Sequence, residues 1–144
     1  MKKLKLVLAA LTIAVCAAAL LACNANGSPK SVFNAYLAAV NAGDYKKAAA
    51  CMYPKDSDEY KVFVAAGEAA EILAKAAGES MKPDKKMTAK NFTVTAGGGK
   101  DDTTATATVT LTTDGADTER TFKFKKTDGK WYIDLVGMAG LGGF

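Results

Sequence analysis

The stretch that decides the fold is TATATVTLTTDGADTERTFKFKKTDGKWYI, residues 104–133. Apolar and polar residues alternate along much of it, as they do in strands with one buried face. The alternation is interrupted at Asp114-Gly115 and at Asp128-Gly129, and Asp-Gly pairs are strong signals of two-residue hairpin turns. The stretch therefore predicts three antiparallel strands joined by two tight turns.

The two turns also fix which residues face each other. A two-residue turn at 128–129 places Phe124 opposite Ile133, and one at 114–115 places Phe122 opposite Ala107, with Trp131 on the same apolar side. The opposite, polar face then collects Thr104, Thr106, Thr108, Lys123, Lys125, Tyr132 and Asp134. Both hairpins sort apolar from polar residues, and a register shifted by one residue would not do so.

Two helices are predicted at the start of the domain. The first begins at Ser28 and Pro29, a capping hydroxyl followed by proline at the first helical position, and ends at Gly43. Asp44 can cap a second, shorter helix, and Pro54 stops it.

A third helix and a first strand complete the domain. Asp56 and Glu59 have the spacing of a capping box for a helix that runs to about Ala77. After it, Phe92 and Val94 predict one short strand. The expected fold is an α+β domain in which three N-terminal helices pack on an antiparallel sheet of about four strands.

The third helix carries few polar residues for its length. Lys61, Glu68, Glu71 and Lys75 lie on one narrow stripe, and nearly all its other positions are apolar or small. Such a helix is expected to be covered on more than one side or to wall a cavity. Gly67 in its middle indicates that another element approaches closely there, because glycine weakens a helix relative to alanine.

Charge excludes one class of partner. The formal net charge is +4, but Lys2, Lys3 and Lys5 precede an apolar run, and removal of residues 1–22 leaves 16 basic and 15 acidic residues. A nearly neutral domain offers no electrostatic surface for a phosphate backbone, so no nucleic-acid partner is expected. The sequence contains no histidine, which removes the commonest general base and the commonest metal ligand.

Residues 1–22 are typical of a secretory signal peptide, with a basic start, an apolar core and the small residue Ala22 before Cys23. Leu20, Leu21, Ala22 and Cys23 resemble the lipobox of bacterial lipoproteins, which implies cleavage between Ala22 and Cys23 and acylation of Cys23. Two alternatives are a retained membrane-spanning helix, for which the run is short, and a plain signal peptide that leaves Cys23 to pair with Cys51.

The lipobox resemblance implies a location for the protein in the cell. Residues 23–28 would form the lipidated N-terminus and a short tether, so the lipid bilayer becomes a partner through Cys23 and the location is the cell envelope. Asn24 favours the periplasmic side of the outer membrane if the host has two membranes. Cys16 would be removed with the leader, and Cys51 is interpreted as a small buried hydrophobe rather than a reactive thiol.

The domain itself, residues 29–136, resembles the nuclear transport factor 2-like (cystatin-like) superfamily, in particular its bacterial lipoprotein branch with domains of unknown function. The resemblance rests on Ser28-Pro29, Val32-Phe33, Tyr36-Leu37, Gly43-Asp44-Tyr45 with Ala48, and the final Asp128-Gly129-Lys130-Trp131-Tyr132-Ile133-Asp134. It implies a bent sheet shaped like a cone around the helices, with a pocket at its open end. The residues expected to line that pocket are Tyr36, Tyr60, Phe63, Phe124 and Trp131.

No catalytic, metal-binding or cofactor-binding motif is present in the sequence, and none carries over from that superfamily. The expected function is a non-catalytic module that binds a small apolar ligand or an envelope protein. The alternative is an isomerase- or hydratase-like enzyme that uses the pocket. The polar face of the sheet favours a monomer or a weak homodimer. The glycine-rich tail, residues 137–144, is expected to fray, or else to dock on the pocket or a second subunit.

Overall fold

The computed structural model describes residues 26–134, and the predicted leader, Cys23 and the C-terminal tail lie outside them. Three helices are followed by four strands that form one antiparallel sheet in the order β1-β2-β3-β4. The helices are α1 (Pro29–Ala42), α2 (Tyr45–Met52) and α3 (Asp58–Ala76). The strands are β1 (Met87–Gly97), β2 (Thr104–Thr113), β3 (Ala116–Thr127) and β4 (Lys130–Ile133). The predicted α+β arrangement is confirmed.

The first helix begins and ends, and the second helix begins, at the residues that the sequence signals predict. The Ser28 hydroxyl accepts a hydrogen bond from the Ser31 amide at 3.1 Å, and Pro29 is the first helical residue. Gly43 ends α1 with φ of 70°, a left-handed conformation that glycine adopts without strain. The Asp44 carboxylate then accepts from the Lys47 amide at 3.1 Å and starts α2.

The third helix begins one residue later than predicted. Ser57, not Asp56, is the cap, since its hydroxyl accepts from the Tyr60 amide at 3.2 Å and donates to the Pro54 carbonyl at 2.6 Å. The Ser57 hydroxyl thus has two backbone partners, one as acceptor and one as donor, whereas an ionised aspartate carboxylate can only accept. Asp58 and Glu59 then lie in the first turn, where the helix dipole favours negative charge.

Both predicted hairpin registers are confirmed. Phe124 pairs with Ile133, and Phe122 pairs with Ala107, with Asp114 and Asp128 at positive φ in the turns. The first strand is much longer than the short strand predicted around Phe92. Its pairing with β2 shifts register twice, between Lys90 and Thr93 and between Val94 and Ala96, and these irregularities break the alternation that sequence reading depends on.

The core lies between α1 and the inner face of the sheet. The Phe33 ring of α1 meets the Phe122 ring edge-on, with centroids 4.9 Å apart, and the Phe92 ring at 5.5 Å. The buried cluster also contains Val32, Cys51, Met52, Ala105, Ala107, Val109, Phe124, Trp131 and Ile133. Alanines of β2 face phenylalanines of β3, so small and large side chains fill the layer together.

Tyr132 corrects the assignment of the polar sheet face. It was expected beside Lys125 in solvent, and it does pair with Lys125, yet only 7% of its surface is exposed. Trp131, Tyr132 and Ile133 are all buried, so both faces of β4 are covered, and α1 and α2 both pack against this edge strand. Burial raises the pKa of Tyr132, and the carboxylate of Asp56 in the α2–α3 connection adds to the rise.

The third helix was expected to be covered on more than one side or to wall a cavity, and the first of these two expectations is wrong. It packs on α2, but none of its residues is buried, and Val62, Ile72 and Leu73 are 70%, 68% and 71% exposed. The half-buried residues of α3 follow one stripe: Tyr60, Phe63, Val64, Gly67, Glu71 and Ala74. Within residues 26–134, therefore, α3 is covered on one side only. Its outer side is an apolar surface open to solvent.

Candidate functional site

A crevice lies where the α1–α2 turn, the C-terminal half of α3 and the segment after α3 meet. It encloses about 460 Å³. Its walls are Ala42, Gly43, Asp44, Tyr45, Lys46, Glu71, Lys75, Glu79, Ser80, Met81 and Lys82. The volume falls in the range of small-ligand sites, and the lining combines an aromatic ring, a thioether and charges of both signs.

Two glycines bring the walls of the crevice together. A β-carbon at Gly43 would lie 2.8 Å from the Lys82 amide nitrogen and from the Met81 carbonyl carbon, so the residue after α1 touches the segment after α3. A β-carbon at Gly67 would lie within 2.9 Å of three carbons of the Tyr45 ring. The close approach predicted at Gly67 is therefore confirmed, and the ring of Tyr45 is the group that approaches.

A hydrogen-bonded chain crosses the crevice from α2 to α3. The Tyr45 hydroxyl donates to Glu71 Oε2 at 3.1 Å, and Lys75 Nζ lies 2.8 Å from Glu71 Oε1, which confirms the predicted Glu71–Lys75 pair. Lys46 of α2 lies 3.3 Å from Glu68. The Tyr45–Glu71 and Lys46–Glu68 contacts fasten α3 to α2 along one polar edge. Each ion pair contributes modestly, because the Lys46, Glu68 and Lys75 side chains are more than half exposed.

The chain also sets the protonation of its members. The hydrogen bond with Lys75 lowers the pKa of Glu71, and the hydrogen bond from Tyr45 lowers it further by a smaller amount. The hydrogen bond with Glu71 raises the pKa of Lys75. Partial desolvation, followed by the bond to Glu71, raises the pKa of Tyr45. Glu71 is therefore an anion at neutral pH and accepts the hydrogen bond that the Tyr45 hydroxyl donates. With its proton engaged in this way, Tyr45 positions a wall of the crevice and does not donate a hydrogen bond into it.

Two charges at the crevice have no such partner. Among the ion pairs of residues 26–134, none includes Lys82 or Glu79. Both line the cavity, one positive and one negative. The same part of the chain holds no group of three or more metal-ligating side chains.

The five residues expected to line a pocket lie elsewhere. Phe124 and Trp131 belong to the core and are 1% and 3% exposed. Tyr36 and Phe63 are half-buried and pack against the core, and Tyr60 is half-buried on α3. Burial raises the pKa of Tyr36 above its usual value. None of the five lines the crevice, so their role in a ligand pocket stays a prediction.

Sequence reasoning did not find the crevice. Its residues come from three separate segments, and nothing local marks them as neighbours. The one usable signal was Gly67, which indicated a close approach without naming the approaching group. Gly43 was predicted only to end α1, although its lack of a side chain also lets the backbone of Met81 and Lys82 lie against it.

The N-terminal end of the described chain is fixed on the sheet. The Asn26 side chain donates to the Trp131 carbonyl at 2.7 Å and to the Ala50 carbonyl at 3.5 Å, and the Trp131 amide donates to the Asn26 carbonyl at 2.8 Å. Asn26 was expected to belong to a tether. These three bonds hold it against β4 and α2, so the chain is already part of the folded domain at Asn26.

Two predicted sites concern cysteines. Cys51 is 4% exposed within the core, and burial raises its thiol pKa to about 11, as expected of a buried hydrophobe rather than a nucleophile. Ala22 and Cys23 lie outside the described residues. Across residues 26–134, no helix has the length and apolar character needed to cross a membrane.

Comparison with known proteins places the chain by family. No curated protein matches its sequence significantly. The sequence profile of a family described as a domain of unknown function, DUF4878, matches residues 21–134. The match spans the three helices and the four strands and thus most of the chain. The chain belongs to the DUF4878 family.

Proposed function

We propose that this protein is a bacterial lipoprotein of the cell envelope, in which acylated Cys23 holds a non-catalytic binding module at the membrane surface. The observation that carries the proposal is the Leu20-Leu21-Ala22-Cys23 sequence after a basic and apolar leader. Several acyl chains on one residue bind a bilayer far more strongly than one chain does. The outer membrane is the proposed location in a host with two membranes.

The attachment of Asn26 supports this arrangement. Only Asn24 and Ala25 separate Cys23 from a residue that is bonded to Trp131 and Ala50. Three residue steps span at most about 11 Å. The corner of the domain formed by β4 and the end of α2 would therefore lie against the lipid headgroups, and the module would not range far from the bilayer.

The chemistry of the described residues supports binding rather than catalysis. Cys51 is buried with a raised pKa, and Glu71, which accepts a hydrogen bond from the Tyr45 hydroxyl, is held ionised by Lys75. Glu71 and Tyr45 both line the crevice, but the pKa of Glu71 is lowered and that of Tyr45 is raised, so both shifts run away from neutral pH, where a general acid or base works best. The order of helices and strands also supports a place within the nuclear transport factor 2-like superfamily, which we infer for the domain.

Replacement of Cys23 tests the anchor. In cells, Cys23→Ala should move the protein from the membrane fraction to the soluble fraction, and mass spectrometry should find no acyl mass on its N-terminal peptide. Cys16→Ala is the matched control, because that cysteine lies in the part removed with the leader, and it should leave fractionation unchanged. Membrane association that persists in Cys23→Ala would contradict lipid attachment as its cause.

Native mass spectrometry of the protein purified from its host tests the binding role. A retained small molecule would support ligand binding, and Lys82→Ala should release it if it occupies the crevice. Lys85→Ala is the matched control, since Lys85 pairs with Asp114 away from the crevice. Turnover of a retained molecule by the purified protein would refute the non-catalytic assignment.

A further inference from the structure

The outer side of α3 is a continuous uncharged surface. From Lys61 to Ala76 the exposed residues divide by position on the helix into a polar stripe, Lys61, Glu68 and Lys75, and an apolar side. The apolar side consists of Val62, Ala65, Ala66, Ala69, Ala70, Ile72, Leu73 and Ala76. At 100° per residue these eight positions occupy about 160° of the helix circumference, and no charge interrupts them.

The order of side chains along this surface is self-complementary. Aliphatic residues lie at the two ends, Val62 on one and Leu73 on the other, and alanines lie between them. If a second α3 runs antiparallel with its centre between Gly67 and Glu68, Val62 of each copy meets Leu73 of the other. In the same register, Ala66 meets Ala69 of the other copy. Small residues at the centre let two helix backbones approach closely while the larger residues close the ends.

We propose that the outer side of α3 is the contact surface for a second copy of this chain, in an antiparallel two-fold pair. Such a pair uses the same patch on both copies, so its complementarity requires no other partner. The polar stripe fits this arrangement, because Lys75 and Glu68 are already paired with Glu71 and Lys46 of their own chain. Asp58 and Glu59, which are exposed, face Ala77 and Ala76 of the other copy at the outer ends of the contact, where their carboxylates stay in solvent.

The size of the surface makes the pair weak. Val62 to Ala76 spans about 21 Å, and about 160° of a cylinder of that length with an accessible radius of about 6.5 Å has an area on the order of 400 Å² per copy. Stable interfaces bury about 800 Å² per partner. Contacts of this size are typical of weak or transient pairs, so the dimer is expected at high protein concentration.

A bilayer fits the surface less well. Helices that lie in a membrane interface usually carry aromatic or large aliphatic residues on the apolar side and lysines along the polar side. The exposed apolar side of α3 has no aromatic residue, and Glu68 and Glu71 match Lys61 and Lys75 in number.

Sedimentation equilibrium of the full chain, purified from membranes in nonionic detergent, tests the proposal over a wide range of protein concentration. The wild type should show a reversible monomer–dimer equilibrium. Ala69→Glu should raise the dissociation constant about tenfold or more, because each copy then buries an unpaired carboxylate. Thr108→Glu, on the outward face of the sheet, is the matched control and should leave the constant unchanged.

Folding of the variants is checked by circular dichroism, and cysteine cross-linking gives an independent measurement if Ala69→Glu does not fold. Ala69→Cys should cross-link between copies with a short bifunctional maleimide much faster than Glu68→Cys, its neighbour on the polar stripe. Dimers that survive Ala69→Glu or are lost in Thr108→Glu would assign the contact to the sheet. A chain that stays monomeric at every concentration overturns the proposal and leaves residues 135–144 or the bilayer as the occupant.

Discussion

Replacement of Gly67 by alanine should destabilise the protein, although helix propensity alone predicts the opposite. In an unobstructed helix the change adds about 1 kcal/mol of stability. Here the new β-carbon would lie within 2.9 Å of three carbons of the Tyr45 ring, so the ring must move. Overpacking of this kind costs about 1–3 kcal/mol, and the Tyr45–Glu71 hydrogen bond contributes up to about 1 kcal/mol more.

The net expectation for Gly67→Ala is a loss of about 2 kcal/mol in the free energy of unfolding. Urea unfolding followed by circular dichroism measures it directly, and a thermal scan should show a drop of about 4 °C per kcal/mol for a domain of this size. The decisive comparison is the same change in a Tyr45→Ala background. With the ring removed, Gly67→Ala should stabilise by about 1 kcal/mol.

The sign reversal separates steric contact from propensity. If Gly67→Ala stabilises the protein while Tyr45 is present, the ring does not lie against α3 as the structure has it. The crevice would then lose one of its walls. If the change destabilises equally in both backgrounds, some group other than Tyr45 occupies the space beside Gly67.

Other perturbations have outcomes that follow from single features. Gly43→Ala should lower the free energy of unfolding in urea by more than Gly78→Ala, because both residues have positive φ but only Gly43 lies against other backbone atoms. The Cys51 thiol, with its pKa of about 11, should react with iodoacetamide slowly at pH 8 in the native protein and rapidly after unfolding. The pKa of Glu71 is lowered from 4.5 in the folded state, so its contribution to stability should be present above pH 4.5 and lost as the pH falls through the folded pKa. Urea unfolding at a series of pH values measures this dependence. Glu71→Gln should remove the part of it that Glu71 contributes.

The features that sequence could predict are local ones. The registers of both hairpins follow from Asp-Gly turns and alternating residues, because a two-residue turn leaves one possible pairing for each strand position. The caps at Ser28 and Asp44 and the stop at Gly43 follow in the same way from the hydrogen bonds that helix ends require. Each of these signals lies within a few residues of the structure it determines.

The features that sequence could not predict depend on where whole elements pack. The burial of Tyr132 requires cover on the outward face of β4, and alternation along a strand does not reveal such cover. The crevice requires Tyr45, Glu71 and Lys82 to meet from separate segments. In β1 the local rule itself failed, since register shifts changed which residues face inward.

The outer side of α3 shows how far composition alone explains an exposed apolar surface. Alanine has the highest helix propensity, so Ala65, Ala66, Ala69, Ala70 and Ala76 would stabilise an exposed helix without any partner. Val62 and Ile72 are β-branched and lose side-chain freedom in a helix, so propensity does not account for them at positions 70% and 68% exposed. Together with Leu73 they lie at the two ends of the alanine surface, where an antiparallel second copy would bury them. Contact with another surface explains both the alanines and the aliphatic ends, whereas propensity explains only the alanines.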